Sequence, residues 1–434
     1  MELEGSDWLI KALDCGTTDR TGRGFKFLVS VFLDGELEPA RAETAFRAFC
    51  GRLPVLSGRV TRVWPLPPYW AFDEKADAGN IVFTTAPMPS GREGLITAIE
   101  HILNMRAAEG GMIALDVLTD GMMGTRSALC FTFSHTLFDA SGAERFIDRF
   151  FRFANGDEEA AALSQVGIAR EGGARPGLRA RLLEARKVGK FARELAGGTR
   201  GCLPVPSDAA GRAFRFATCA FNAPEAERLK TLAWSKAGYI MQGPYLLACA
   251  LRAFARVCET GDRLGVSVST ALSTGMADNR LFFNRLSFLY FQCSRAETAN
   301  RDELARLLCC QLARQTRDGI PLAVDQFNQL MRVFPSKLFW RYLLALSRGS
   351  PASFGFSLLN TLRLQTETAF GCAVADVEHF PLPPVPPGIG LVLTAGKSGY
   401  HATLSYLDGT LGKTDAAMFL ETFRAASLAE DGGA

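Results

Sequence analysis

Phe131-Thr132-Phe133-Ser134-His135-Thr136-Leu137-Phe138-Asp139-Ala140-Ser141-Gly142 changes character half way along. The near-continuous apolar run from Ala128 to Phe133 predicts a buried strand. Polar residues follow at once. Ser141 with Glu144 three places later has the spacing of a capping box, which predicts a helix starting at Ser141. Ala143, Phe146, Ile147, Phe150 and Phe151 then fall on one helical face, and Asn155-Gly156 ends the helix. His135 and Asp139 therefore lie on a short connection between a buried strand and a helix. Such a connection can present a base at the edge of a core while the scaffold holds it still.

The chain has four histidines: His101, His135, His379 and His401. Histidine is the side chain best suited to take a proton near neutral pH. Two readings of His135 stand side by side: a base on a rigid loop, or a structural histidine at a strand end with Asp139 as a local turn-former. His101 reads as a helix-surface residue. His379 and His401 read as surface or internally satisfied histidines.

The 434 residues, 48% of them hydrophobic, are ample for a large core or two lobes. A formal net charge of +3 gives no global basic surface for nucleic acid. The acidic start, Met1-Glu-Leu-Glu-Gly-Ser-Asp7, does not read as a signal peptide, and no apolar stretch has the length of a membrane span. Eleven scattered cysteines read as small core residues in a reducing compartment, so a cytoplasmic protein is expected. Cys309-Cys310 lacks the spacing of a zinc site, and no metal is expected. Thirty-two phenylalanines against seven tyrosines supply core, cavity wall, or both.

Strands and helices mix along the whole chain, an α/β or α+β pattern in two lobes of similar size. Strands are expected at 26–33, 112–117, 126–134, 214–221, 264–270, 286–292, near 352–359, 389–395 and 400–406. Helices are expected at 39–50, 91–108, 224–237, 244–258, 301–316 and from Thr414, with an amphipathic stretch over 323–347. Residues 1–174 form the N-terminal lobe and 212–434 the C-terminal lobe. Between them, 175–211 is a basic crossover linker, with Arg175, Arg179, Arg181, Arg186, Lys187, Lys190, Arg193 and Arg200 against Glu184 and Glu194. It reads either as a solvated crossover or as a contact for phosphate or for an acidic partner.

The order of elements and the local wording together resemble the CoA-dependent acyltransferases of chloramphenicol acetyltransferase-like fold. That superfamily includes condensation domains, alcohol acyltransferases and wax-ester synthases. The resemblance runs over nearly the whole chain. It rests on Arg52-Leu-Pro-Val-Leu-Ser-Gly-Arg-Val60, on His135-Thr-Leu-Phe-Asp139 as the HxxxD motif, on Phe283-Asn-Arg-Leu-Ser-Phe288, and on Ser357-Leu-Leu-Asn360. It implies two lobes, each a mixed sheet flanked by helices, with a channel between them. Acyl-CoA or an acyl or peptidyl carrier protein would bring the thioester, and a small molecule would supply the accepting hydroxyl or amine. The resemblance implies no permanently bound cofactor.

The resemblance further implies His135 as general base, with Asp139 and Gly142 shaping the motif loop. Ser134, Ser141, Asn284, Ser357 and Asn360 become pocket or oxyanion residues. Arg280 or Arg285 would pair with Asp139. Three departures stand out: Ser134 replaces the first histidine of condensation domains, Ala140 replaces a glycine, and no arginine stands at 271–273. They motivate a second reading, a non-catalytic scaffold that binds a carrier protein or ligand. An active enzyme should show His135 facing an open channel and Asp139 paired with an arginine. A scaffold should show the channel filled by bulky side chains. Gly396-Lys-Ser398 is not a phosphate loop, because Leu391 stands where glycine is needed, and no GxSxG elbow is present.

Overall fold

The computed structural model describes residues 1–63, 66–73, 81–119, 126–162, 177–195, 199–238, 242–271 and 280–430. In the first half the elements are α1 (Gly5–Thr21), β1 (Lys26–Asp34), α2 (Pro39–Gly51), β2 (Arg59–Thr61), β3 (Tyr69–Ala71), β4 (Val82–Pro87), α3 (Gly91–Ala108), β5 (Ile113–Thr119), β6 (Arg126–Ser134) and α4 (Ala140–Ala154). Helix α5 (Leu178–Leu195) follows. The second half contains β7 (Phe214–Asn222), α6 (Ala223–Ala237), α7 (Gln242–Val257), β8 (Arg263–Ala271), β9 (Leu286–Ser294), α8 (Arg301–Arg317), α9 (Ile320–Met331) and α10 (Ser336–Leu346). It ends with β10 (Phe354–Leu359), β11 (Thr368–Ala369), β12 (Cys372–Pro381), β13 (Ile389–Ala395), β14 (Gly399–Leu407) and α11 (Lys413–Leu428).

Two six-stranded sheets organise the lobes, in the orders β11-β12-β1-β6-β5-β4 and β7-β14-β13-β10-β8-β9. Both are mixed: β4–β5 and the two neighbours of β10 are parallel pairs, and the remaining pairs are antiparallel. The expected α/β class holds. The cut in sequence between the halves is not a cut between sheets. β12 comes from the second half, yet it pairs antiparallel with β1 at the centre of the first sheet, Phe27 opposite Pro381 and Val29 opposite His379.

Phenylalanine spacing explains how α4 docks. Phe146, Phe150 and Phe151 are fully buried. Phe146 meets Phe49 of α2 and Phe133 of β6 edge-on, and Phe150 meets Phe46 and Phe131 in the same way. Truncating one such ring to alanine costs ~3–5 kcal/mol. Much of the phenylalanine excess is therefore core.

Helix α4 starts one residue before the expected Ser141. Asp139, not Ser141, is its N-cap, and its Oδ1 accepts from the Gly142 N–H at 2.7 Å. Glu144 does not reach back to the cap. Its carboxylate is buried, where Oε2 accepts from the Arg363 N–H at 2.6 Å and Oε1 lies 2.9 Å from His379 Nε2. A nearby charge cluster joins the sheets. His401 of β14 places Nε2 2.9 Å from Asp376 Oδ2 of β12, and Arg92 of α3 holds Glu378 of β12 at 2.6 Å. No helix among the described residues is long and apolar enough to cross a membrane.

Candidate active site

Strand β6 ends at Ser134, and the chain turns so that His135 leaves the sheet beside β1. The His135 N–H still bonds the Phe25 carbonyl at 3.0 Å, which fixes the backbone. Its ring stacks on Phe25 with centroids 4.8 Å apart and meets Phe27 edge-on at 5.2 Å. Two aromatic walls thus leave the imidazole little rotational freedom.

The second half completes the restraint. Asn284 donates from Nδ2 to the His135 carbonyl at 2.9 Å and turns Oδ1 toward His135 Nδ1 at 3.2 Å. Because Nδ2 is committed to a carbonyl, Oδ1 is the atom facing the ring, and Nδ1 must carry the proton. Nε2 then holds the lone pair. Asn284 is itself pinned: its N–H bonds Asp7 Oδ1 at 2.8 Å, and its carbonyl accepts from Ser6 Oγ at 2.6 Å. Phe283 adopts a left-handed backbone, φ 70°, and donates its N–H to the Leu137 carbonyl at 2.6 Å. A non-glycine residue in that region is strained and is held by its surroundings.

Gly142 is needed at the same seam. A Cβ there would lie 2.5 Å from the Leu281 carbonyl oxygen. The motif's aspartate and glycine therefore bring the start of α4 against the 280–284 segment, whose Asn284 orients His135.

His135 opens onto a cavity of about 500 Å³ between the lobes. Asp139, Ala140 and Ser141 line it at the start of α4, Ser269 and Thr270 come from β8, and Ser357 comes from β10. Ser269 Oγ and Ser357 Oγ are hydrogen-bonded at 3.0 Å. Asn360 lies at an exposed edge, where its Oδ1 accepts from Thr361 Oγ1 at 3.4 Å. Burial lowers the His135 pKa below the ordinary imidazole value, although its own carbonyl, Asp139 and Asn284 favour the proton.

Four sequence expectations end differently in the structure. Ser134 turns away from the cavity and shares a hydrogen bond with Thr136 Oγ1 at 2.7 Å. Asp139 forms no ion pair among the described residues; it caps α4 instead. Arg280 contributes its carbonyl to Arg145 at 3.3 Å, and Arg285 lines the cavity. Positions 272 and 273 lie outside the described residues, as does Arg175.

The linker is more than a solvated crossover. Val188, Phe191, Ala192 and Leu195 of α5 line the cavity, while its Arg186 and Lys190 face outward. His379 is neither a surface residue nor a simply satisfied one. It is buried, lines the cavity, and sets Nε2 against Glu144 at a distance but not an angle suited to a hydrogen bond. Nothing in the local sequence around His379 pointed there, because its partner stands 235 residues earlier in the chain (379 − 144). His101 is exposed on α3, as expected.

No protein-family model matches the sequence, and no curated protein matches it. Solved structures do. The trichothecene 15-O-acetyltransferase from Fusarium sporotrichioides superposes with a TM-score of 0.70 at 12% identity, over 99% of this chain and 94% of that one. The first condensation domain of the calcium-dependent antibiotic synthetase gives 0.66 at 16% identity, over 100% and 96%. The epimerization domain from the third module of tyrocidine synthetase B gives 0.61 at 13%, over 98% and 96%. The chain therefore has the two-lobed α/β fold shared by CoA-dependent acyltransferases and condensation domains. Likeness at this identity establishes the fold, and the chemistry has to be argued from the site.

Proposed function

We propose that this protein transfers an acyl group from a thioester, carried on CoA or on the phosphopantetheine of a carrier protein, to a hydroxyl or amine of a small-molecule acceptor. One observation carries the reading. His135 faces an open cavity with Nδ1 tied to Asn284, which leaves a neutral Nε2 available as base.

Nε2 takes the acceptor's proton as its oxygen or nitrogen attacks the thioester carbonyl. The tetrahedral intermediate collapses with cleavage of the C–S bond, and the imidazolium returns the proton to the departing thiolate. No acyl-enzyme is required, because the cavity holds both reactants. Ala140 and Ser141 sit at the first turn of α4, whose leading N–H groups have no partner inside the helix. They and the Ser269–Ser357 hydroxyl pair are the donors for the developing oxyanion. Gly142 is not, because its N–H is occupied by Asp139. The outward cations of α5 suit either donor, since both carry phosphate. Eleven free cysteines fit work in a reducing cytoplasm.

The scaffold reading draws on the lack of an arginine partner for Asp139 among the described residues. Against it stands the cavity, which bulky side chains do not fill at His135. Acceptor-dependent thiol release, lost in His135→Ala, is the test that separates the two.

A further inference from the structure

Gly265 and Ser267 of β8 are two residues apart and point to the same side of the second sheet. That side faces the cavity. Ser267, its cross-strand partner Tyr290 of β9 and its neighbour Gly355 of β10 all line it. Gly265 leaves a gap in this row, and Arg200 occupies the gap. A Cβ at Gly265 would lie 3.2 Å from Arg200 Nε, so the arginine side chain crosses the sheet where residue 265 has none, next to Ser267. Arg200 lines the cavity as well.

Three donors meet here with nothing to donate to. Arg200 Nη1 is used by the Ser350 carbonyl. Arg200 Nη2, Tyr290 Oη and Ser267 Oγ have no hydrogen-bond partner among the described residues, and each keeps accessible surface. The next pair along the strands differs, because Ser269 and Ser357 satisfy each other at 3.0 Å. Charge sharpens the contrast. Arg200 forms no ion pair among the described residues. Burial pulls its pKa down, and the groups that oppose this, Cys202 and Tyr290, are not carboxylates. Burial pushes Tyr290 up to about 12 against the pull of Arg200, so its phenol stays a donor at neutral pH. Asp139 is the one carboxylate lining the cavity among the described residues, and it caps α4. A half-buried cation without a counter-ion destabilises the folded chain, and an anionic ligand removes that cost.

We infer that Arg200, Tyr290 and Ser267 form a carboxylate-binding subsite of the cavity, so that one substrate of this protein carries a carboxylate. A guanidinium edge and two hydroxyls match the two oxygens of that group. The inference deepens the acyl-transfer reading and rests on it for the place of the carboxylate in the reaction. Ser267 stands two residues from Ser269, about 7 Å along the strand, so the carboxylate lies a few bonds from the reacting carbonyl. The phosphate of the donor is a whole pantetheine arm from its thioester and does not meet that spacing. The carboxylate belongs either to the acceptor, as in a hydroxy acid or an amino acid, or to the acyl group, as in the monothioester of a dicarboxylic acid.

Calorimetric titration of the full-length protein at pH 7 tests the binding without turnover. The probes are hexanoate and 3-phenyllactate, each against its primary amide. The wild type should bind at least one acid about tenfold more tightly than its amide, the scale of a hydrogen bond to a charged group. Arg200→Gln should erase the preference, and Arg200→Lys should keep part of it. Tyr290→Phe removes only the hydroxyl. It should weaken the acid several-fold and leave the amide unchanged, and it keeps the test open should Arg200→Gln fail to fold. No preference for either acid in the wild type, or a preference unchanged in Arg200→Gln or in Tyr290→Phe, would overturn the inference.

Turnover then separates the sources. A preference for 6-hydroxyhexanoate over 6-hydroxyhexanamide that Arg200→Gln erases assigns the carboxylate to the acceptor. The same result with succinyl-CoA against butyryl-CoA assigns it to the acyl group. Carboxylate selectivity in binding without turnover of any pair would remove the acyl-transfer reading and leave the subsite standing.

Discussion

Asn284 grips His135 at two points, donating from Nδ2 to its carbonyl at 2.9 Å and facing its Nδ1 with Oδ1 at 3.2 Å. The contact joins the HxxxD loop of the first half to the segment preceding β9 in the second. It fixes the tautomer as well as the position of the ring.

Asn284→Ala should therefore lower kcat by about 10²-fold, the scale of a misplaced reacting group. KM should change much less. Asn284→Asp keeps an oxygen at Nδ1 and loses the donor to the His135 carbonyl. Its added negative charge favours the imidazolium, so the acid limb of its pH–rate profile should move to higher pH. A profile identical to that of the wild type would show that Asn284 only shapes the loop.

Burial holds His135 below the ordinary imidazole range. Its base form then persists to lower pH than a free histidine's. kcat/KM should fall only as pH drops through a value below about 6.5, the unperturbed figure. A pH–rate profile from pH 4.5 to 9 reads this directly, and an acid limb above the unperturbed value would contradict the burial argument.

Gly142→Ala would place a methyl group 2.5 Å from the Leu281 carbonyl. Both sides of that contact are backbone, so relief requires moving α4 or the 280–284 segment. The substitution should destabilise by ~1–3 kcal/mol, as overpacking does. It should also depress activity, because Asn284 moves with that segment. Thermal unfolding and kcat measured together check the coupling. An unchanged kcat in a destabilised variant would separate the seam from the site.

The His401–Asp376 contact between the sheets predicts how stability follows pH. Burial disfavours the His401 proton, but the Asp376 hydrogen bond and the charges of Glu378 and Asp376 outweigh it, with Arg92 opposing, and the pKa rises. That stabilisation is present in full below about 6.5 and is lost as pH climbs through the raised value. Asp376 is held down at about 2: burial opposes its charge, and the hydrogen bonds from His401 and Ser398 prevail. Its contribution is present above about 3.8 and fades as pH falls toward the lowered value. His401→Gln should flatten the decline of Tm between pH 6 and 9. A decline unchanged in the variant would assign it to other groups.

Much of this fold could be read along the chain, because β1, β6, α2 and α4 each bury one regular stripe or run. Helix α1 and strand β12 are among the elements that could not. Helix α1 has Ser6, Asp7, Trp8, Leu9 and Ile10 buried in succession, so it shows no single apolar stripe. It is wedged among α9, α10 and the Asn284 segment, and that surrounds it on several faces. Strand β12 carries Asp376, Glu378 and His379 at the centre of a sheet, which reads as polar loop. Those charges are answered by His401, Arg92 and Glu144, all distant in sequence. The same limit applied to the site. His135 and Asp139 were legible from strand, loop and helix start. The Asn284 grip and the buried His379 depend on contacts between halves, which local pattern does not encode.

The most direct measurement is thiol release from acyl-CoAs and acyl-carrier thioesters mixed with pooled alcohols and amines, with product mass read from the same reactions. The wild type should release thiol only when an acceptor is present and should form one ester or amide. His135→Ala, folded as judged by its unfolding transition, should lose about 10²–10⁴-fold of that rate. Release that persists undiminished in the variant, or proceeds without any acceptor, would contradict His135 as the base.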